Sequence, residues 1–135
     1  VGDGEMQEGQ VWEAAMTSVK HCLSSVTVVV DSNGLKAMDE TACGKIMEPI
    51  VDRWAALGWR ACEIDGHDMA QIVDALDWAK GDATAPAVIV ARTVKGKGIS
   101  FIEGQAAFHN AALTPEQLNQ ALAELEANLI TVREA

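Results

Sequence analysis

Two short segments of this 135-residue chain carry oxygen donors at a spacing suited to holding a divalent cation. The first is Gly2-Asp3-Gly4-Glu5-Met6-Gln7-Glu8-Gly9. Glycines flanking an acid let the backbone turn tightly and approach a ligand. A helical pattern starts just after, and the free N–H groups of a helix N-terminus attract anions such as phosphate. Asp3, Glu5 and Glu8 repel phosphate, and a divalent cation between acid and phosphate resolves that conflict. The second segment is Asp31-Ser32-Asn33-Gly34-Leu35, directly after the apolar run Val26 to Val30. Asp3 offers a carboxylate oxygen, Asn33 an amide oxygen, and the backbone just past Gly34 a carbonyl. Three protein oxygens, two phosphate oxygens and a water complete the octahedral shell that magnesium demands. Alone, each segment has a plainer account, an acidic glycine turn and an Asn-Gly turn; the pairing at this spacing favours the metal.

Basic residues form a second constellation. Arg92, Lys95 and Lys97 put three of the chain's ten basic residues within six positions, beside Gly96 and Gly98, as suits an anionic ligand. The plainer account is a solvated lysine loop. His109 could donate a proton or bind substrate near neutral pH, although a lone loop histidine is commonly incidental. In Asp65-Gly66-His67-Asp68, His67 reads as structural and Asp68 as a helix cap.

The elements that must position these groups follow from apolar periodicity. Val26 to Val30 and Ala87 to Ala91 are continuous apolar runs, expected of strands buried on both faces; Trp59 to Ile64 is a weaker candidate. Gln10 to Cys22 places Val11, Ala14, Ala15, Val19 and Cys22 on one helical face. Met47 to Leu57 aligns Ile50, Val51, Trp54 and Leu57, and Met69 to Lys80 aligns Ile72, Val73, Leu76 and Trp78 or Ala79. Thr114-Pro115-Glu116-Gln117 is a capping box opening a last helix through Leu118, Leu122 and Leu125. The four tryptophans, Trp12, Trp54, Trp59 and Trp78, read as packing. Helices and strands alternate, which predicts an α/β fold: a doubly wound parallel sheet with helices on both faces. Twenty-eight residues between Gly4 and Asn33 fit one helix and one strand, so both segments fall at the same carboxyl edge, where such sheets bind ligands. The 93–113 stretch is too long for a plain connector.

Composition narrows the class. With 49% hydrophobic and 22% charged residues the chain reads as one globular domain. A net charge of −10 repels nucleic acid, and no apolar run reaches the length of a membrane span. Cys22, Cys43 and Cys62 show neither zinc spacing nor a disulfide framework, which predicts buried free thiols in a reducing, cytoplasmic setting. The chain opens on Val1-Gly2-Asp3-Gly4 without a signal peptide, entering a motif directly, as expected of a truncated chain.

Gly-Asp-Gly followed by just under thirty residues and Asn resembles the thiamine diphosphate motif. The longer stretches Gly2 to Ala15, Val30 to Leu35, Gly58-Trp59, Ile64 to Asp68 and Thr93 to Phe101, in that order over essentially the whole chain, resemble transketolase, especially members made as two chains. The resemblance implies that residues 1–135 are the C-terminal portion of the diphosphate-binding domain, with the pyrimidine-binding domain absent. It implies thiamine diphosphate and magnesium (or calcium) as cofactors, with Asp3, Asn33 and the Leu35 carbonyl as metal ligands and Gly4 as a backbone contact to diphosphate. It implies that Lys95 and His109 approach cofactor and substrate, and that Glu8 and Glu13 belong to an interface network linked to cofactor activation. Glu8 and His109 are thus the catalytic candidates, and sugar phosphates the substrates. The implied partners are a pyrimidine-binding subunit or domain and a second copy, joined through the helix after the Gly-Asp-Gly loop. That helix is expected to expose apolar surface around Val11 and Trp12.

Two stretches depart from the family pattern: residues 36–46, and His109-Asn110-Ala111-Ala112-Leu113, where glycine normally follows the histidine. Two other readings stay open: a non-catalytic fold or dimerisation module, and an enzyme with the same cofactor but a different ketol or acyl donor.

Overall fold

A computed structural model describes residues 1–35, 47–81 and 84–134, with side chains of the last helix to residue 129. The chain forms two compact units, Val1–Thr93 and Val94–Ala135.

The first unit is built on three parallel strands, β1 (Thr27–Ser32), β2 (Arg60–Asp65) and β3 (Ala87–Arg92), in the order β1-β3-β2. Helices α1 (Gly9–Lys20), α2 (Ile50–Ala56) and α3 (Met69–Gly81) alternate with them, as the sequence predicts. In register, Ser32, Arg92 and Asp65 end their strands side by side. A stub of a further parallel strand runs along β1: Val1 N donates to Val29 O, Asp31 N to Val1 O, and Asp3 N to Asp31 O.

Side-chain alternation gives the sheet two faces. On one, Val30, Val88 and Val90 pack with Met6, Ala15, Ile50, Trp54 and Trp59 beneath α1 and α2. Trp54 packs between Trp12, tilted against it, and Trp59, edge to face, with ring centroids 5.4 and 4.8 Å away; truncating it to alanine would cost about 3–5 kcal/mol. On the other face, Ala87 and Ile89 meet Ala75 and Ala79 of α3. Helices thus cover both faces, and β3, the middle strand, is buried from Ala87 to Ala91.

Four expectations need correction. First, β1 is buried on one face only, since Thr27, Val29 and Asp31 are exposed; α3 packs mainly on β2 and β3. Second, α3 rests on its alanines. Val73, Leu76 and Trp78 face outward, because small side chains bring a helix close enough to contact Ala87 and Ile89; Trp78 is covered in part by the Arg60 guanidinium, 4.7 Å from its ring. Third, Cys22 is exposed and Cys62 half-buried, its thiol pushed above the ordinary value of 9.0 by burial; Cys43 lies outside the described residues. Fourth, Val11 and Trp12 are half-buried against the core, and Met16 is the exposed large apolar residue of α1.

The second unit contains α4 (Pro115–Glu134) and the segment before it, which closes with a 3-10 turn at Ala106–His109. The capping box forms as predicted: Thr114 N donates to Gln117 Oε1 (3.0 Å) and Gln117 N to Thr114 Oγ1 (3.3 Å). Phe101 and Phe108 meet edge to face, 5.8 Å apart. Among the described residues no helix is long and apolar enough to cross a membrane.

Candidate functional site

The strand stub ends at Asp3, at the carboxyl edge of the sheet, and the chain turns through Gly4 into a 3-10 turn at Glu5–Gln7 before α1. The three acids of this loop have different fates. Glu5 Oε2 accepts the Gly2 N–H at 2.6 Å, and Glu8 Oε2 accepts the Gln10 amide at 2.7 Å, so both serve the loop itself. Asp3 instead faces the turn after β1: its Oδ2 accepts the Gly34 N–H at 2.8 Å, across 31 positions of sequence. The parallel bridge Gly2–Asp31 makes this meeting unavoidable, because it sets the two strand ends level.

The turn itself is shaped by Asn33 and Gly34. Asn33 Oδ1 accepts the Leu35 N–H at 2.9 Å, and Nδ2 donates to Asp31 Oδ2 at 3.3 Å. Gly34 has φ +72, the left-handed region, and a Cβ there would meet nothing within 4 Å among the described residues. Gly4, by contrast, sits at φ −67, ψ −42, a conformation open to any residue.

Asp3 is 9% exposed and, among the described residues, pairs with no lysine, arginine or histidine. A carboxylate this enclosed calls for a positive partner. The Asp3 carboxylate is hydrogen-bonded to the turn that carries the Asn33 amide oxygen, and oxygen donors are what a hard cation requires. The residues present fit a divalent ion.

Arg92 does not join the basic constellation. Its Nη1 donates to Ser32 Oγ (2.9 Å) and Glu48 Oε1 (2.5 Å), and its Nη2 to Glu63 Oε2 (2.7 Å) and Glu48 Oε2 (3.3 Å). Hydrogen bonds from Glu48 first and Glu63 second hold the guanidinium's pKa above its ordinary value. Arg92 therefore ties the ends of β1, β2 and β3 to the segment entering α2. Lys97 is also occupied, by Glu103 at 3.0 Å. Lys95 makes no ion pair among the described residues; its carbonyl accepts the Gly104 N–H at 2.9 Å.

The structure thus brings together Asp3, Asn33, Gly34 and Leu35, with Gly4 adjoining Asp3. Glu8 stands at the N-terminus of α1 and Glu13 within it, both exposed. Lys95 and the exposed His109, at the end of the 3-10 turn, belong to the second unit. The departing segment 36–46 lies outside the described residues. His67 is exposed, and Asp68 caps α3 as expected, accepting the Ala70 and Gln71 N–H groups at 2.9 and 3.2 Å. Sequence reasoning missed the Arg92–Glu48–Glu63–Ser32 cluster and a hydrogen bond from Thr93 Oγ1 to Asp31 Oδ1. The one available signal was that Ser32, Asp65 and Arg92 each end an apolar run with a polar residue.

Comparisons with known proteins show the family of the chain. Residues 1–130 match the family model described as transketolase, thiamine diphosphate binding domain. The chain is 43% identical over 126 residues to a 6-deoxy-6-sulfo-D-fructose transketolase subunit, SqwG, of Clostridium sp. (strain MSTE9), covering 93% of this chain and 46% of the relative. It is 34% identical over 125 residues to an apulose-4-phosphate transketolase subunit of Phocaeicola vulgatus, covering 93% and 44%. The solved transketolase of Campylobacter jejuni superposes with a TM-score of 0.79 at 34% identity, over 89% of this chain and 19% of that one. The chain spans a little under half the length of those two subunit relatives.

Proposed function

Because the chain belongs to the transketolase family as a thiamine diphosphate-binding domain, we propose that it is part of a transketolase subunit that holds the cofactor's diphosphate through magnesium or calcium, for two-carbon ketol transfer between ketose and aldose phosphates. The observation that carries this reading is Asp3, enclosed, set against the Asn33–Gly34 turn and without a cationic partner among the described residues. Asp3, the Asn33 amide oxygen and the Leu35 carbonyl would hold the metal, and the Gly4 backbone would meet the diphosphate. When bound, the cofactor supplies the nucleophile and electron sink for breaking and forming the carbon–carbon bond. This chain's residues supply position and charge: a carboxylate against the cation, a turn without a side chain at Gly34, and the charge of Lys95 for phosphate groups. His109 would orient substrate or hold a proton near neutral pH.

The acid that activates the cofactor's pyrimidine ring has no counterpart here, so a pyrimidine-binding domain or partner subunit must supply it. The two relatives named as subunits support that arrangement. A second copy would dock along α1, where Glu8, Glu13 and Met16 are exposed. The reaction takes place in the cytoplasm. A different ketol donor is a second reading, favoured by the relatives' names. Those name a sulfonated fructose and apulose 4-phosphate, and the feature we extend to this chain is a ketose carrying an anion at its far end.

The test is calorimetric titration of the complete subunit, with its partner, using thiamine diphosphate with and without magnesium. Binding that requires the cation is expected, as is ketol transfer by the two chains together and by neither alone. Equal binding in excess chelator would overturn the metal reading, and turnover by a proven monomer the assembly.

A further inference from the structure

Two residues that make up the proposed metal site, Asp3 and Asn33, share a neighbour that the reading above does not use. Asp31 touches both. Its main-chain carbonyl accepts the Asp3 N–H at 3.0 Å, and its carboxylate Oδ2 accepts Asn33 Nδ2 at 3.3 Å. A carboxylate accepts and never donates, so it selects the nitrogen end of the Asn33 amide. The Leu35 N–H, a donor at 2.9 Å, selects the oxygen end. Both contacts demand the same amide orientation, with the oxygen turned to the Gly34–Leu35 side and one lone pair still available.

Asp31 is itself held. Thr93, just past the end of β3, donates its hydroxyl to Asp31 Oδ1 and its N–H to the Ser32 carbonyl at 3.2 Å. The threonine methyl lies where a side chain on Gly66 would be: a Cβ there would come within 2.5 Å of Thr93 Cγ2 and 3.0 Å of the Arg92 carbonyl. Gly66 in turn is fixed by its N–H to the Arg92 carbonyl at 2.8 Å. The Asp65-Gly66-His67-Asp68 motif, which the cofactor reading leaves without a task, thus underlies a relay from Gly66 to Thr93 to Asp31 to Asn33.

We propose that Asp31 is a positioning residue of the metal site, holding Asn33 oxygen-inward through its side chain and Asp3 through its main chain, with Thr93 and Gly66 fixing its own orientation. The inference rests on the metal reading above. Carboxylates behind metal ligands orient the ligand, and their loss typically weakens metal binding about 10–100-fold.

The experiment is a magnesium titration by calorimetry, at saturating thiamine diphosphate, on the complete subunit with its partner. Three variants are compared with the parent: Asp31→Ala, Thr93→Val and Asp3→Ala, with circular dichroism and melting of each metal-free protein. Thr93→Val keeps shape and charge and removes only the hydroxyl. The magnesium dissociation constant should rise about 10–100-fold in Asp31→Ala and about threefold to tenfold in Thr93→Val, with melting little changed. A Thr93→Val value equal to the parent's overturns the inference, because charge alone would then explain Asp31. So does a folded Asp31→Ala within twofold of the parent. If Asp31→Ala does not fold, Thr93→Val decides alone. Asp3→Ala separates the two readings: if it binds as the parent does, the metal site falls and this inference with it; if it alone loses magnesium, only the positioning role falls.

Discussion

Asp3 and Arg92 are both charged, both stand at the carboxyl edge of the same sheet, and the chain treats them in opposite ways. Arg92 is satisfied from within by two glutamates and a serine. Asp3 has a single backbone donor and no counter-charge among the described residues. The same contrast separates Lys97, paired with Glu103, from Lys95. A charge with its partner inside the chain holds the fold together; a charge left without one is available to something that arrives. Charge and position in sequence did not distinguish the two kinds, since Arg92, Lys95 and Lys97 read as one basic cluster.

Substitutions should separate binding from stability along that line. The largest effect is expected from Asp3→Ala, which should weaken magnesium-dependent cofactor binding more than about 100-fold, since it removes a direct ligand where supporting residues alone cost 10–100-fold. Calorimetry on the assembled enzyme reads the affinity, and its melting temperature should stay near the parent's. Lys95→Ala should lower affinity for cofactor or sugar phosphate about tenfold, the size of one lost charged hydrogen bond, again without loss of stability.

For the satisfied charges the pattern should reverse. Arg92→Ala should cost about 1 kcal/mol in denaturant unfolding, a modest value because the pairs are partly solvent-screened, and leave cofactor affinity within about twofold of the parent. A large affinity loss there would break the comparison. Lys97→Ala, at a pair still more open to water, should stay within about 0.5 kcal/mol. The smallest effect is a pH dependence at Asp68. The Gln71 backbone N–H first, and its side-chain amide second, hold this carboxyl below its ordinary 3.8. A carboxylate favoured in the folded state stabilises it above the unfolded value and ceases to as pH falls through the lower folded one. The melting-temperature gap between parent and Asp68→Ala should therefore be present at neutral pH and close below about pH 3.8.

The order of elements was legible because apolar runs, glycines and the Thr114 capping box mark where each begins and ends. The face of α3 was not. Ranking by hydrophobicity selects Val73 and Leu76, whereas the packed face is set by how close a helix can come to Ala87, which favours Ala75 and Ala79. At the site, the Asp3–Asn33 spacing was visible because one helix and one strand bring adjacent strand ends together. The Arg92 and Thr93 contacts were not, because they depend on β3 inserting between the two earlier strands. That crossover puts residues 60 and 62 positions apart in contact, as in Arg92–Ser32 and Thr93–Asp31.

The tryptophan cluster gives this edge a built-in optical reporter. Trp12 donates its indole N–H to the Met6 carbonyl at 2.6 Å, inside the loop that begins at Asp3, and its ring abuts Trp54, which abuts Trp59. A shift of a few tenths of an ångström in that loop alters the hydrogen bond at one end of three electronically coupled rings. Occupation of the site should therefore register as a change in near-ultraviolet circular dichroism and emission wavelength, with no label attached. Trp12→Phe, which keeps an aromatic ring but loses the N–H, should mute that signal while the cofactor still binds.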